Sequence, residues 1–280
     1  MDYSRDTLER VTLSGMAQPI SISSRQWRLP ELPGPPGGPV PSVGEAAMLA
    51  ADRAATDRVG ISLLQMMENA GRELADLTRL TLGGSVVGRG IVVLAGTGNN
   101  AGGGMVAARR LAGWGAEVCV VFARPVLRLR PGPCAQVEPM LAAGVRAAVA
   151  GHDRSYPELA NEIVRADAVI DALIGYSLRG APDEVYQPLI GMATLGNGPV
   201  ISLDIPSGID ASTGERPGTA VAADATLALA LPKRGMELGQ GRRFSGVGYL
   251  ADIGLPASIF DELGIATGEW FAAGPLVRLG

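Results

Sequence analysis

The sequence predicts an α/β fold with a mostly parallel central sheet and helices on both of its faces. From residue 88 onward, short apolar runs alternate with segments of helical periodicity, which is the pattern of parallel-sheet proteins. The runs are continuously apolar, as in AVIDAL at 168–173, and this indicates strands that are buried on both faces. Strands are predicted at 91–95, 117–123, 168–173, 199–205, 225–231 and 247–253.

Helical periodicity is clearest at 61–80, where Leu64, Met67, Leu74 and Leu77 recur on one face. An earlier helix is predicted at 44–58, and the glycine at position 60 is placed to end it. Between the strands, further helices are predicted at 105–113, 135–143, 157–166 and 183–194.

Composition divides the chain into two parts. Residues 1–43 include the run LPELPGPPGGPVPS, which cannot form a helix and offers too few apolar side chains to bury. We therefore predict a Pro/Gly-rich N-terminal tail at 1–43. The remaining 44–280 has the length of one large α/β domain, without an internal repeat.

Charge and composition argue against several classes of function. The net charge is −4 and no basic block is present, so nucleic acid is not expected as a partner. Almost all of the positive charge is arginine, and Lys233 is the only lysine. His152 is the only histidine and lies in a polar stretch, so neither a histidine-ligated zinc site nor a Ser-His-Asp triad is indicated.

Cysteine usage and hydropathy indicate a cytoplasmic protein. Cys119 and Cys134 do not suggest a disulfide framework, and we expect both to be reduced. No apolar run reaches membrane-spanning length, and the N-terminal MDYSRDTLERV lacks the apolar core of a signal peptide. We therefore expect a cytoplasmic location and no membrane contact.

The most informative segment is the glycine-rich stretch 96–104, which directly follows the strand predicted at 91–95. We predict a loop here, because glycine lets the backbone approach a ligand and a following helix offers free N–H donors to an anion. The spacing matches neither G-x-G-x-x-G nor a P-loop. Its paired Asn99 and Asn100 can ligate a cation or read a carboxamide, or can supply turn geometry alone.

Polar residues follow three of the predicted strands at their carboxyl ends. Asn99 and Asn100 follow the first, Asp171 lies near the end of another, and Asp204 closes a third, with Ser207 three residues further on. If these strands are parallel neighbours, the three clusters share one rim, which is where ligands of open α/β sheets bind. Carboxylate, amide and hydroxyl oxygens are suited to a hard alkali or alkaline-earth cation.

Each of these residues also has a purely structural interpretation. Asp171 and Ser207 could be capping or turn residues, and Asp204 could cap the turn that follows it. Lys233 lies on the same side of the sheet, where it could meet an anionic ligand or be a solvated loop lysine. Capping or packing is the default interpretation of the polar pair in the second helix, Glu68 and Asn69.

Together these segments resemble the YjeF N-terminal family, the NAD(P)H-hydrate epimerases. The family's GNNGGDGLVAAR resembles residues 98–109, and its DALLGTGL resembles 171–178. Its VDIPSGLDADTG resembles 203–214, and its LMENAGR resembles 66–72. The resemblance covers about residues 44–260 with the motifs in the right order.

The resemblance implies a Rossmann-like three-layer α/β/α sandwich that forms a homodimer. It also implies an isomerase that acts on NADHX and NADPHX, the hydrated forms of the reduced nicotinamide cofactors. The family interconverts the R and S epimers of these compounds at C6, so that an S-specific dehydratase can repair both.

Carried over position by position, the resemblance gives Asp204 the catalytic acid/base role beside the hydrated ring. A potassium ion would be held by Asn100, Asp171 and Ser207. Together with Asp204, two segments would bind the substrate: Asn99, Asn100, Ala101, Gly102 and Gly103 in the first, and Gly175, Tyr176, Ser177, Leu178, Arg179, Gly180 and Ala181 in the second.

The chain departs from the family motifs at a few positions. Gly103 stands where the motif has aspartate, Ala101 replaces a glycine, Tyr176 replaces the usual threonine, and Arg179 adds a charge. We predict an NAD(P)H-hydrate epimerase. The alternatives are a catalytically degenerate nucleotide-binding or scaffold module of this fold, and an enzyme for another nucleotide-like ligand.

Overall fold

The computed structural model describes residues 27–280, in which eight strands form a single sheet. The strands are β1 Gly90–Ala95, β2 Glu117–Phe122, β3 Arg146–Val149, β4 Ala168–Ala172, β5 Val200–Leu203, β6 Ala225–Leu229, β7 Val247–Ala251 and β8 Leu276–Arg278. Their order across the sheet is β3-β2-β1-β4-β5-β6-β7-β8, and all neighbouring strands are parallel except β7 and β8, which are antiparallel.

The α/β fold and all six predicted strands are confirmed, and two further strands lie at the two edges of the sheet. At one edge, β3 has an exposed arginine and an exposed alanine among its four residues, so it lacks the continuous apolar run of a central strand. At the other edge, β8 has only three residues and is antiparallel. Sequence reasoning missed both strands because neither is buried on both faces along its length.

Helices cover both faces of the sheet. The helices are α1 Glu45–Ala54, which continues as a π-helix at Ala55–Val59, α2 Leu63–Thr81, α3 Asn99–Gly113, α4 Pro131–Cys134, α5 Val137–Ala142, α6 Tyr156–Arg165, α7 Gln187–Met192, α8 Gly241–Phe244 and α9 Ala257–Glu262. Successive residues of a strand point to opposite faces of the sheet. On β1, Val93 therefore belongs to the apolar cluster that includes α2 and α3, whereas Val92 and Leu94 belong to the cluster that includes α6 and α7.

The predicted loop at 96–104 is wrong over most of its length, because α3 begins at Asn99. Its three consecutive glycines lie inside the helix and allow it to pack closely on its neighbours. A Cβ atom on Gly102 would lie 2.5 Å from the Met67 sulfur on α2, and one on Gly104 would lie 2.6 Å from the Ala172 Cβ on β4. Close packing here outweighs the low helix propensity of glycine.

Residues 27–43 contact the folded domain although they form no helix or strand beyond an isolated bridge at Val43. Val40 and Val43 are buried at 9% and 6% exposure, so the expectation that this stretch has too little to bury is wrong for them. The Tyr249 hydroxyl donates to the Pro30 carbonyl at 2.8 Å. The tail boundary at residue 43 stays a prediction, and residues 1–26 lie outside the described part of the chain.

Nothing between residues 27 and 280 forms a helix that is both long enough and apolar enough to cross a bilayer.

Candidate active site

The three predicted polar clusters meet at one edge of the sheet. Strands β1, β4 and β5 are parallel neighbours, so their carboxyl ends lie side by side. The Asn100 side-chain amide donates to the Leu203 carbonyl at 3.1 Å, which links the first cluster to the third. The Ser207 hydroxyl donates to Asp171 at 2.5 Å, which links the third to the second.

Asp171 is fully buried at the centre of this edge. Its carboxylate accepts four hydrogen bonds, two from the hydroxyl and N–H of Ser207, one from the Ser202 hydroxyl at 2.8 Å and one from the Leu173 N–H at 3.2 Å. Burial raises the pKa of the Asp171 carboxyl, and these four donors oppose the rise. Asp171 is therefore not a helix cap. It organises the loop that carries Ser207.

Asp204 adopts an unusual backbone conformation at the end of β5. Its φ is +74°, in the left-handed region that non-glycine residues rarely occupy and that is often found at functional sites. The side chain is almost buried, at 3% exposure for the residue, and one carboxylate oxygen accepts the Tyr176 N–H at 2.9 Å. The other oxygen forms an ion pair with Lys233. Asp204 is thus held from two sides, and this is more than a turn cap requires.

Lys233 is fully buried, so the interpretation as a solvated loop lysine is wrong. Its ammonium group pairs with Asp204 and donates to the carbonyls of Leu229 at 2.8 Å and Leu231 at 3.1 Å. These three contacts match the three protons of the group, which leaves no donor free for an anionic ligand. The only lysine of the chain therefore serves to hold the Asp204 carboxylate.

Gly175 packs closely beside this ion pair. A Cβ atom at this position would lie 3.0 Å from an Asp204 carboxylate oxygen and 3.4 Å from the Asn100 Cγ, so any larger residue would crowd both side chains. Gly175 thus lies between a carboxylate and an amide, two groups that together can bind and deprotonate a hydroxyl group.

The rest of the second predicted substrate segment forms the loop after β4. The Tyr176 hydroxyl donates to an Asp52 carboxylate oxygen at 2.6 Å, and Arg179 pairs with Glu45 at 2.8 Å. Leu178 is buried, and the remaining members are exposed: Ser177, Gly180 and Ala181. Sequence reasoning missed Asp52, because a single acidic residue within a helical pattern carries no sign of a distant partner.

The first predicted substrate segment forms the beginning of α3. Asn99 and Asn100 are the first two residues of this helix and do not form a turn. Asn99 is exposed and Asn100 is half-buried. The following members, Ala101, Gly102 and Gly103, are buried inside the helix packing. A Cβ atom on Gly103 would lie 2.8 Å from a Leu203 methyl carbon, so this position faces β5.

Two more predicted residues have structural roles. Glu68 pairs with Arg109 and Arg110 across α2 and α3. The Asn69 side-chain amide donates to the Ile253 carbonyl at 3.0 Å. Both side chains thus link α2 to neighbouring elements, and the capping or packing interpretation of this pair stays a prediction.

The oxygen atoms at this edge are of the kind that hard cations prefer. The oxygens of Asn100 and Ser207 lie beside the buried carboxylate of Asp171, and such ligands suit alkali or alkaline-earth ions. Across residues 27–280, no three His, Cys, Asp or Glu side chains converge in a way that could hold a metal ion.

Comparison with known proteins identifies the family. A family model described as YjeF-related protein N-terminus matches residues 63–235. An NAD(P)H-hydrate epimerase of Dehalogenimonas lykanthroporepellens is 42% identical over 81% of this chain and 88% of its own length. A bifunctional NAD(P)H-hydrate repair enzyme of Hyperthermus butylicus is 39% identical over 71% of this chain, but only 37% of that longer enzyme is spanned.

The fold is also that of a solved structure. The crystal structure of yeast ynu0 (YNL200c) superposes with a TM-score of 0.73 at 20% identity, over 86% of this chain and 100% of that one. With the matched model covering more than half of the chain and a relative above 40% identity, the chain belongs to the YjeF-related N-terminal family.

Proposed function

We propose that this protein is an NAD(P)H-hydrate epimerase, an isomerase that interconverts the R and S epimers of NADHX and NADPHX. The observation that carries the proposal is the buried Asp204–Lys233 ion pair beside Gly175 and the Asn100 amide. The similarity to the Dehalogenimonas epimerase, over most of both chains, supports the same activity.

The reaction needs proton transfer at an oxygen atom. C6 of the hydrate bears a hydroxyl next to the ring nitrogen, and inversion requires either loss and return of water or opening of the ring. Asp204 lies beside Gly175 and Asn100, and its carboxylate can take a proton from this hydroxyl or return one to it. Lys233 fixes the orientation of the carboxylate, so that it needs little rearrangement to react.

The two substrate segments fit different parts of a dinucleotide. Ala101 is buried in the helix packing, and Gly102 and Gly103 have no side chain, so the start of α3 would contact the substrate through its backbone and through Asn99 and Asn100. The loop at 175–181 would lie along the opposite side of the substrate.

We also propose a potassium ion held by Asn100, Asp171 and Ser207. Asn100 and Ser207 would supply neutral oxygens, and the buried Asp171 would supply negative charge. The ion would orient the substrate. The homodimer and the cytoplasmic location that the resemblance implies stay predictions.

The activity is tested by coupling epimerisation to repair. Purified protein is mixed with R-NADHX, potassium and an excess of S-specific dehydratase, and the NADH formed is followed. We expect recovery well above the spontaneous rate, and a loss of at least about 100-fold in Asp204→Asn. Turnover like that of the wild type in a folded Asp204→Ala variant would remove Asp204 from its role.

Recovery at the spontaneous rate, from protein shown to be folded, would favour the alternative of a catalytically degenerate binding module. The substitution that suggests this alternative is Gly103 in place of the motif aspartate. Because position 103 faces Leu203, we do not expect Gly103→Asp to raise turnover. An increase would show that the motif aspartate acts in catalysis.

A further inference from the structure

Tyr176 contacts three charged groups, Asp204, Lys233 and Asp52. Its N–H donates to the Asp204 carboxylate at 2.9 Å, and its ring centre lies 6.0 Å from the Lys233 nitrogen. Its hydroxyl donates to Asp52 at 2.6 Å. The position of the tyrosine is therefore set by Asp52 on α1, which has no direct hydrogen bond to the Asp204–Lys233 pair.

Helix α1 is itself attached to the segment that carries Lys233. The Val43 N–H donates to the Pro232 carbonyl at 2.9 Å, and the Arg234 N–H donates to the Val43 carbonyl at 2.8 Å. The lysine is thus flanked on both sides by bonds to Val43, which lies two residues before the helix begins. Movement of α1 would disturb both members of the ion pair, Lys233 directly and Asp204 through Tyr176.

A second contact joins the same helix to the same loop. Arg179 pairs with Glu45, which lies seven residues before Asp52, and this spacing of about two turns places both acidic residues on one side of α1. In this loop, Tyr176 replaces the threonine of the family motif and Arg179 adds a charge. Both positions contact α1, but only Tyr176 also contacts Asp204.

The hydrogen bond between Tyr176 and Asp52 has a defined direction. Burial and the nearby Asp52 charge raise the pKa of the Tyr176 phenol, so the tyrosine stays protonated and acts as the donor. Burial also raises the pKa of Asp52, and this rise is opposed by the hydrogen bond from Tyr176 and by the charge of Lys233.

We propose that Asp52 is a positioning residue for the epimerase reaction: it holds Tyr176, whose backbone N–H keeps the Asp204 carboxylate oriented beside Lys233. This inference rests on the proposed function. It assigns α1 a part in catalysis although Asp52 reaches Asp204 only through Tyr176.

The kinetic test removes one partner of the Tyr176–Asp52 hydrogen bond at a time. We expect Tyr176→Phe and Asp52→Ala each to lower kcat about tenfold with KM changed less than about twofold, because the substrate contacts remain. Asp52→Asn should restore most of the activity, since its amide oxygen still accepts the phenol proton. The double variant Asp52→Ala/Tyr176→Phe should be no slower than either single variant, because both remove one interaction.

Glu45→Gln is the matched control, because it weakens the other contact between α1 and this loop without touching Tyr176. It should keep the kcat of the wild type. The proposal is overturned by wild-type kcat in Tyr176→Phe, or by an Asp52→Asn variant as slow as Asp52→Ala. If Asp52→Ala does not fold, Tyr176→Phe decides alone, because it removes a single oxygen.

A second readout does not depend on turnover. Lys233 is the only lysine, so its acetylation by an amine-reactive ester can be followed by the mass of one peptide. We expect Tyr176→Phe and Asp52→Ala to raise the labelling rate at least about threefold, with Glu45→Gln unchanged, because the ion pair is loosened. If the wild type does not epimerise NADHX, the proposed function fails, and the labelling rates still decide whether Asp52 holds the pair. Equal labelling rates of Lys233 in all variants would overturn the positioning role of Asp52.

Discussion

Four charged side chains are buried in the described part of the chain, and three of them meet at the candidate site. Asp171, Asp204 and Lys233 lie together at the edge of the sheet, whereas Glu73 lies on α2. A buried charge is costly unless partners satisfy it, and removal of one partner from a buried pair typically costs about 3–5 kcal/mol. This concentration of buried charge at one place is what a reaction site requires and what a core alone would not contain.

Glu73, the buried charge away from the site, gives a pH prediction for stability. Burial raises the pKa of its carboxyl above the ordinary 4.5, against the effect of Arg72 at 2.8 Å. The folded state therefore holds the proton more tightly than the unfolded chain. The favourable contribution is complete below pH 4.5 and is lost as pH rises through the raised pKa.

The change to test is Glu73→Gln, which cannot lose a proton. We expect the free energy of unfolding of the variant, relative to that of the wild type, to increase as the pH is raised from about 4 to about 7. Urea unfolding at each pH measures it, and Glu138→Gln, which alters an exposed carboxylate on α5, is the control. A difference that does not change with pH would contradict the prediction.

Residues on the strands could be predicted from the sequence, and residues that reach the site from elsewhere could not. Asp171 and Asp204 end apolar strands, and the carboxyl ends of parallel strands share an edge, so their meeting follows from the pattern. The burial of Lys233 and the contact between Asp52 and Tyr176 depend on how α1 and two loops pack. Local periodicity contains no information on such long-range contacts.

At the scale of elements, α3 shows that a run of glycines can have either of two structural roles. A run of glycines after a strand is typical of a ligand-binding loop, and here the same run allows two helices and a strand to pack closely. On α2, Gly71 is part of the same contact, since a Cβ atom there would lie 2.4 Å from the Val106 Cβ. The distinction depends on what lies opposite each glycine, which only the folded structure shows.

Two glycines of α3 provide a matched pair of substitutions. At Gly104 a methyl group would meet Ala172 on β4 at 2.6 Å, whereas at Gly113 nothing lies within 4 Å. We expect Gly104→Ala to lower the free energy of unfolding by about 1–3 kcal/mol through overpacking. Gly113→Ala should raise it by about 0.5–1 kcal/mol through helix propensity. Urea unfolding measures both, and equal effects would show that packing does not explain the glycines.

For the whole molecule, residues 27–43 join distant parts of the sheet. The Arg278 N–H on edge strand β8 donates to the Pro33 carbonyl at 3.0 Å, so part of the open edge is covered. At the other end of this stretch, Val43 pairs with the backbone around Lys233. The stretch that composition predicts to be a tail thus connects the protected edge of the sheet to the candidate site.

This connection predicts how two truncated proteins will differ. One lacks residues 1–26 and the other lacks 1–43, so the comparison isolates the contacts of 27–43. We expect the shorter protein to be less stable by at least about 3 kcal/mol, because it exposes the apolar surface that Val40 and Val43 cover and leaves the buried Tyr249 hydroxyl without its partner. Its epimerase activity should fall further than its stability explains, because the bonds from Val43 that flank Lys233 are lost.

Tyr249→Phe in the full chain should reproduce only the part of the stability loss that is due to the hydroxyl, about 1 kcal/mol. Equal melting temperatures and equal activities of the two truncated proteins would place the start of the domain at residue 44, as composition alone predicts.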